Sequence, residues 1–203
     1  MSRELHLALI DASAEAIRAA EAELTELDQA IGDGDHGANL RRGFDAIAAE
    51  RDALAGLGLG DALQKAGMTL VAKVGGASGP LYGSLLMGMG KAAKEGGDPV
   101  EQLAAGVDMV KRRGKSDVGA KTMLDVLVPV VEALRASGDA PLPERLAQAR
   151  RVAEEAREAT KHMLATRGRA SFLGERSRGH YDPGATSSRL LIVTVCDILG
   201  AER

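Results

Sequence analysis

Asp28, Asp33 and Asp35 crowd the junction between two helix-like stretches, and Gly32, Gly34 and Gly37 let the chain fold tightly around them. A helix ending near Asp28, followed by a glycine-rich turn, aims three carboxylates at one point. Two unit charges about 4 Å apart in an effective dielectric near 20 repel by about 4 kcal/mol, so such a cluster without a cation is strained or partly protonated. An oxygen-only donor set with no cysteine nearby suits a hard ion. Mg2+ in particular takes a few carboxylates and leaves its remaining positions to water and phosphate. The alternative is a solvated acidic loop, because Asp and Gly are the commonest turn residues. The third aspartate, the adjoining His36 and a second glycine loop weigh against it.

That second loop is Gly75-Gly76-Ala77-Ser78-Gly79-Pro80-Leu81-Tyr82-Gly83, between two apolar stretches. Pro80 suits the first turn of a helix, so N–H groups around Ala77 and Ser78 would point at an anion held at that helix's positive end. It is not a Walker A loop: the Gly-Lys-Ser/Thr ending is missing and Lys73 precedes the glycines. Taken alone it reads more readily as a close helix–helix turn than as a phosphate cradle. Paired with the carboxylates it offers what a polyphosphate needs, donors for its oxygens and a cation to neutralise them. His36, directly after Asp35, is placed to touch a nucleotide, to orient a carboxylate or to cap a helix. Gly56-Leu57-Gly58-Leu59-Gly60 has no such partner and reads as an ordinary turn.

A late stretch holds Arg167, Arg169, Arg176, Arg178 and His180, then Tyr181-Asp182-Pro183-Gly184. Arginines there could close over phosphate with planar, charge-assisted donors. A solvated basic loop is the competing reading. His6 and His162 lack acidic or glycine-rich neighbours and read as structural or exposed.

The elements that must position these groups are helices. Ala, Leu, Glu and Arg dominate, apolar residues recur at three- and four-residue spacing, and strand-like alternation is missing. Breaks at glycines and prolines predict about eight helices, near 3–28, 38–54, 61–73, 80–95, 99–113, 119–137, 143–167 and 184–200. Asp61, Asp98-Pro99 and Asp182-Pro183 carry start signals, and short connections favour antiparallel neighbours. The connections 114–119 and 168–184 are polar and glycine-rich, as mobile segments are. With 203 residues, 45% of them hydrophobic, the chain suits one domain spanning 1–203. A net charge of -3, two Phe, two Tyr and no Trp argue against a nucleic-acid platform. The single cysteine, Cys196, lies in an apolar stretch and reads as a packed thiol in a reducing cytoplasm. No secretion signal or membrane-spanning segment is expected.

The stretch Leu27-Asp28-Gln29-Ala30-Ile31-Gly32-Asp33-Gly34-Asp35-His36-Gly37-Ala38-Asn39 resembles the nucleotide-binding L subunit of dihydroxyacetone kinase. Met68-Thr69-Leu70, Val74 to Pro80, Arg113-Gly114-Lys115, Lys121-Thr122-Met123, Gly168 to Ser171 and Leu173 to Ser187 extend the likeness along nearly the whole chain. The resemblance implies an eight-helix antiparallel barrel, all α, with the nucleotide at one end. It implies two Mg2+ ions on Asp28, Asp33 and Asp35, with His36, Gly37, Ala38, Asn39, Ala77 and Ser78 lining phosphates and ribose. Gly114, Met123, Asp182, Pro183 and Gly184 would enclose the rest of the nucleotide, and Arg169 would reach its phosphate end as the catalytic residue. One departure stands out, Gly119-Ala120-Lys121-Thr122-Met123 where the family often has Gly-Asp-Lys-Thr-Met.

A chain of this kind is similar to the phosphotransferase-system type, in which ADP is a resident cofactor. An M subunit phosphorylates that ADP from a phosphohistidine, and the ATP formed phosphorylates dihydroxyacetone held on a K subunit. Two other readings compete: a subunit exchanging free ATP to phosphorylate dihydroxyacetone or another small ketose, and a regulatory module that contacts a transcriptional regulator according to its nucleotide state.

Overall fold

The structure, a computed structural model, describes residues 2–201. Its helices run α1 (Arg3–Ile31), α2 (His36–Ala49), α3 (Arg51–Ala55), α4 (Leu59–Lys73), α5 (Ser78–Lys94), α6 (Pro99–Gly114), α7 (Leu124–Ala136), α8 (Leu142–Thr160) and α9 (Pro183–Ala201), with 3-10 turns over Arg169–Ser177. The described residues contain no strand.

Two starts follow from local chemistry. Ser2 Oγ accepts the N–H of Leu5 at 3.1 Å, and Asp98 Oδ1 accepts those of Val100 and Glu101 at 2.8 and 3.0 Å ahead of Pro99. Asp61 does not open α4; Gly58 does, and Asp61 pairs instead with Lys94 at 2.5 Å. The helix expected over 38–54 starts two residues earlier and divides at Glu50, where neither Gly nor Pro marks the break. The helices expected over 119–137 and 143–167 are both shorter, because 115–123 and 161–168 leave helical conformation.

Packing runs in a circuit: α1 on α2, α2 on α4, then α4, α5, α6, α7, α8 and α9 each on the next, and α9 back on α1. Polar ladders give the directions. Glu21 with Arg41 and Arg18 with Asp45 run α1 against α2, and Asp11 with Arg51 continues the ladder onto α3, while Glu154 with Arg189 and Arg150 with Asp197 run α8 against α9. Each pair is antiparallel, as the short connections predict. Inside the circuit Ile17, Leu24, Leu40, Leu70, Val110, Leu124 and Leu127 form one buried cluster drawn from five helices. A second joins Val126 and Val130 to Leu146, Ala153 and Cys196. Burial pushes the Cys196 thiol pKa up, which keeps it protonated and inert.

One expectation changes here. By length and composition α9 is apolar enough to cross a membrane, with a mean hydropathy of 1.3 over its 18-residue window. In this fold it packs on α1, α7 and α8, and its Arg189 and Asp197 pair with α8.

Helices α4 and α5 pack closely, with four glycines letting their backbones meet. A Cβ on Gly67 would lie 2.7 Å from the Gly83 carbonyl oxygen, and one on Gly60 would lie 2.8 Å from that of Gly90. Alanine raises helix propensity by about 1 kcal/mol, but a clash with backbone cannot be relieved by a rotamer change. Gly67→Ala is therefore expected to lower the melting temperature by on the order of 5 °C, consistent with a net loss of about 1–2 kcal/mol in a chain this size. Gly58→Ala, with nothing within 4 Å of the added atom, should shift it little; circular dichroism melts of both variants check the contrast.

Candidate functional site

The α1–α2 junction is held by one carboxylate. Helix α1 continues past Asp28 to Ile31, so Asp28 sits in its last turn, 8% exposed, with its side chain turned toward the chain's return. Its Oδ2 accepts the N–H groups of Asp35 at 2.8 Å and His36 at 3.1 Å, the first donors of α2. Gly32 makes room: a side chain there would overlap the other Asp28 oxygen. The turn then brings one oxygen from each of Asp28, Asp33 and Asp35 within 4.8 Å of the others. Asp33 and Asp35 are exposed while Asp28 is buried, so the cluster faces outward from a buried anchor. Three oxygens from side chains with no sulfur or nitrogen donor form a set that fits Mg2+ with positions left for phosphate.

The cleft beside this cluster is lined by Asp28, Asp33, Asp35 and His36, by Gly76, Ala77 and Ser78, by Lys121 to Met123, by Arg167 to Ala170, and by Asp182 to Gly184. Ile31, Leu81 and Tyr82 supply apolar wall. Four sequence-singled residues do not line it. Gly37 is buried against Glu21 and Thr25 of α1, Ala38 is exposed, Asn39 lies under Gly75, and Gly114 stands beside Leu81. Helix α5 begins at Ser78 with no side-chain cap, so its first N–H groups are available to an anion in the cleft.

His36 is 7% exposed and both of its ring nitrogens are used: Nδ1 meets Ser78 Oγ at 2.9 Å and Nε2 meets Ser187 Oγ at 2.9 Å. It thereby ties α2 to the starts of α5 and α9. Burial lowers its pKa, against the pull of Asp28 and Asp35 toward the charged form, so the ring is neutral at physiological pH, with one nitrogen donating and the other accepting. Ser187 also meets Tyr82 Oη at 2.7 Å, and Ser188 meets it at 2.9 Å. Burial pushes the Tyr82 pKa up to about 12, fixing it as a neutral hydroxyl.

Arg169 Nε pairs with Asp33 Oδ2 at 2.6 Å, with the arginine side chain 70% and the aspartate 37% exposed. A pair this open is worth less than about 1 kcal/mol, so Arg169 can leave it at little cost. The expected mobile stretch 168–184 is instead organised: 3-10 turns, interrupted by Gly174 at φ 55, are held by hydrogen bonds to the loop before α7. Sequence reasoning did not find Tyr82 or Lys121 as site residues. Their signal, a polar side chain inside an otherwise apolar or small-residue stretch, is visible only once its partners are known.

Residues 30–197 match the DAK2 domain family. The chain belongs to that family. It is 48% identical over 172 residues to the PEP-dependent dihydroxyacetone kinase 1, ADP-binding subunit DhaL of Listeria innocua, covering 83% of this chain and 82% of the relative. The corresponding ADP-binding subunit DhaL of Escherichia coli is 47% identical over 171 residues, covering 81% of each. Among larger relatives, the D-erythrulose kinase of Mycolicibacterium smegmatis is 41% identical over 196 residues, which is 92% of this chain but 34% of that one. The fold also matches the dihydroxyacetone kinase of C. freundii in complex with AMP-PNP and Mg2+, with a TM-score of 0.79, 24% identity, and coverage of 97% of this chain and 34% of that one.

In this DAK2 chain Asp182 has the most displaced carboxyl group of the cleft. Burial first, then Asp125 and Asp28, raise its pKa to about 7, against the N–H of Ala185, which it accepts at 2.7 Å, and against Lys121. Between about pH 4 and 7 the folded state therefore holds a proton that the unfolded chain has released. The stability that Asp182 contributes is complete below the unfolded pKa and is lost as pH rises through the folded one. Asp182→Asn keeps an acceptor for Ala185 and removes the titration. In metal-free buffer, denaturant titrations from pH 4 to 8 should show wild type losing stability relative to this variant as pH rises, by up to about 1.4 kcal/mol per unit.

Proposed function

We propose that this chain is the nucleotide-binding subunit of a phosphoenolpyruvate-dependent dihydroxyacetone kinase, a phosphotransferase component that works in the cytoplasm. It acts as one L-type domain with ADP as resident cofactor. The observation that carries the reading is the convergence on one cleft of the three-carboxylate cluster and the uncapped start of α5. The identity of 47% or more to two ADP-binding subunits of matching length supports it.

Asp28, Asp33 and Asp35 would hold two Mg2+ ions, which when bound neutralise charge on the phosphate oxygens. The chain's own residues do the rest. Asp28 fixes the cluster from behind, since its second oxygen is committed to the start of α2. The N–H groups at Ala77 and Ser78 bind phosphate oxygens, and neutral His36 orients the Ser78 hydroxyl from below. Arg169 exchanges its exposed pairing with Asp33 for the terminal phosphoryl group and stabilises charge as that group moves. Met123 and Asp182 to Gly184 enclose the remainder of the nucleotide, and Leu81 and Ile31 exclude water.

With no nucleophile required of this chain, the phosphoryl group passes from a phosphohistidine on an M subunit to ADP, and from the ATP formed to a hydroxyl of dihydroxyacetone on a K subunit. The ATP-exchanging reading, with another small ketose as substrate, draws on the erythrulose kinases. In those relatives the matched region is about a third of a longer chain, whereas the stand-alone subunits match at full scale.

Purified chain should retain ADP through dialysis with Mg2+, and adding K and M subunits with phosphoenolpyruvate should form product without added ATP. Loss of ADP on dialysis together with turnover on ATP alone would instead establish the exchanging kinase. Asp33→Ala should leave helical circular dichroism intact and weaken ADP retention about tenfold or more; a normal ADP content in that variant would contradict the site.

A further inference from the structure

Arg169 is carried by a segment with little apolar anchorage of its own. Between Thr160 and Pro183 the chain makes only 3-10 turns, and its apolar contact is a small cluster of Ala165, Ala170 and Leu173 against Ile31. Gly168 and Gly174 hold positive φ within it. Something else must fix its position over the carboxylates.

Lys121 is 1% exposed, and its ammonium donates to the carbonyl oxygens of Ser177 at 2.5 Å, His180 at 2.7 Å and Met163 at 3.4 Å. All three acceptors belong to this one segment, and they lie on both sides of Arg169 in the chain. Among the described residues no carboxylate pairs directly with Lys121; Asp182 favours its charge through space, and its hydrogen bonds all go to backbone oxygens. A buried ammonium is tolerated only where such acceptors replace water. Its backbone is forced as well, with φ at 61 in the left-handed region that lysine rarely adopts. Both flanks hold it there: Asp125 accepts the N–H of Gly119 at 2.5 Å and of Thr122 at 2.6 Å, and Ala120 accepts that of Thr166 at 3.1 Å.

We infer that Lys121 is a positioning residue whose buried ammonium clamps the 161–182 segment to the loop before α7, and so places Arg169 beside the Asp28, Asp33 and Asp35 cluster. The clamp deepens the proposed function, since its effect on nucleotide rests on that reading. Its effect on the segment does not. A lysine that only filled space would be replaced without consequence by methionine, which has similar length and volume; a clamp would not.

The test uses the full chain and the variants Lys121→Met and Lys121→Arg, each first checked for wild-type helical circular dichroism. Trypsin cuts after arginine, and Arg167, Arg169, Arg176 and Arg178 lie in the segment, so mass spectrometry of nucleotide-free protein reports its opening directly. Lys121→Met should be cut there about tenfold faster than wild type and bind Mg2+–ADP about tenfold more weakly, with Lys121→Arg recovering most of the protection. Unchanged cleavage in folded Lys121→Met, equal sensitivity in both variants, or loss of helical structure in both would overturn the clamp. If wild type binds no ADP, the functional reading fails, and the cleavage comparison still decides the role of Lys121.

Discussion

Everything at the cleft depends on one acceptor, Asp28 Oδ2, which takes the N–H groups of Asp35 and His36 across the α1–α2 turn. A helix start leaves its first donors unpaired, and a charge placed there gains both hydrogen bonds and the favourable end of the helix dipole. That gain offsets bringing Asp33 and Asp35 toward an already buried carboxylate. The cluster is thus built from the inside out. Its anchor is satisfied by the protein, and its exposed members keep oxygens for a cation.

The closed circuit of helices supplies the rest by bringing distant helix starts to one end. His36 at the head of α2 touches Ser78 at the head of α5 and Ser187 in the first turns of α9, and Tyr82 reaches the same serine from α5. These buried, neutral hydrogen bonds persist across physiological pH, because burial suppresses both the histidine's protonation and the tyrosine's ionisation. The outer parts are different in kind. The Arg169–Asp33 pair is open to water and weak, which suits a group that must change partners when a phosphate arrives.

Much of this could be read from residue types. Helical periodicity, the start signal at Asp98-Pro99, the three aspartates and the two glycine loops all rest on local chemistry, and they locate the cleft. What escaped reading was long-range. The break at Glu50 carries no Gly or Pro, and α8 stops at Thr160, eight residues before the next glycine. There the backbone tightens to bonds three residues back, and the Thr160 hydroxyl accepts the N–H of Asp182 at 3.2 Å, a contact 22 residues away. The 168–184 stretch looked mobile because its composition is polar, yet its order comes from Lys121 in another loop. Gly37 and Asn39 sit beside the right residues in sequence but face α1 and Gly75, since a helix start turns successive residues to different sides.

The proposed function requires the carboxylate trio to hold a divalent ion at the cleft when nucleotide is present. Crystals grown with ADP and Mn2+ and measured at the manganese absorption edge test this directly. The expected result is anomalous density among Asp28, Asp33 and Asp35, adjoining the diphosphate, with Ala77 and Ser78 N–H groups on its oxygens. Nucleotide bound elsewhere, or the three carboxylates turned to solvent with no anomalous signal between them, would contradict it.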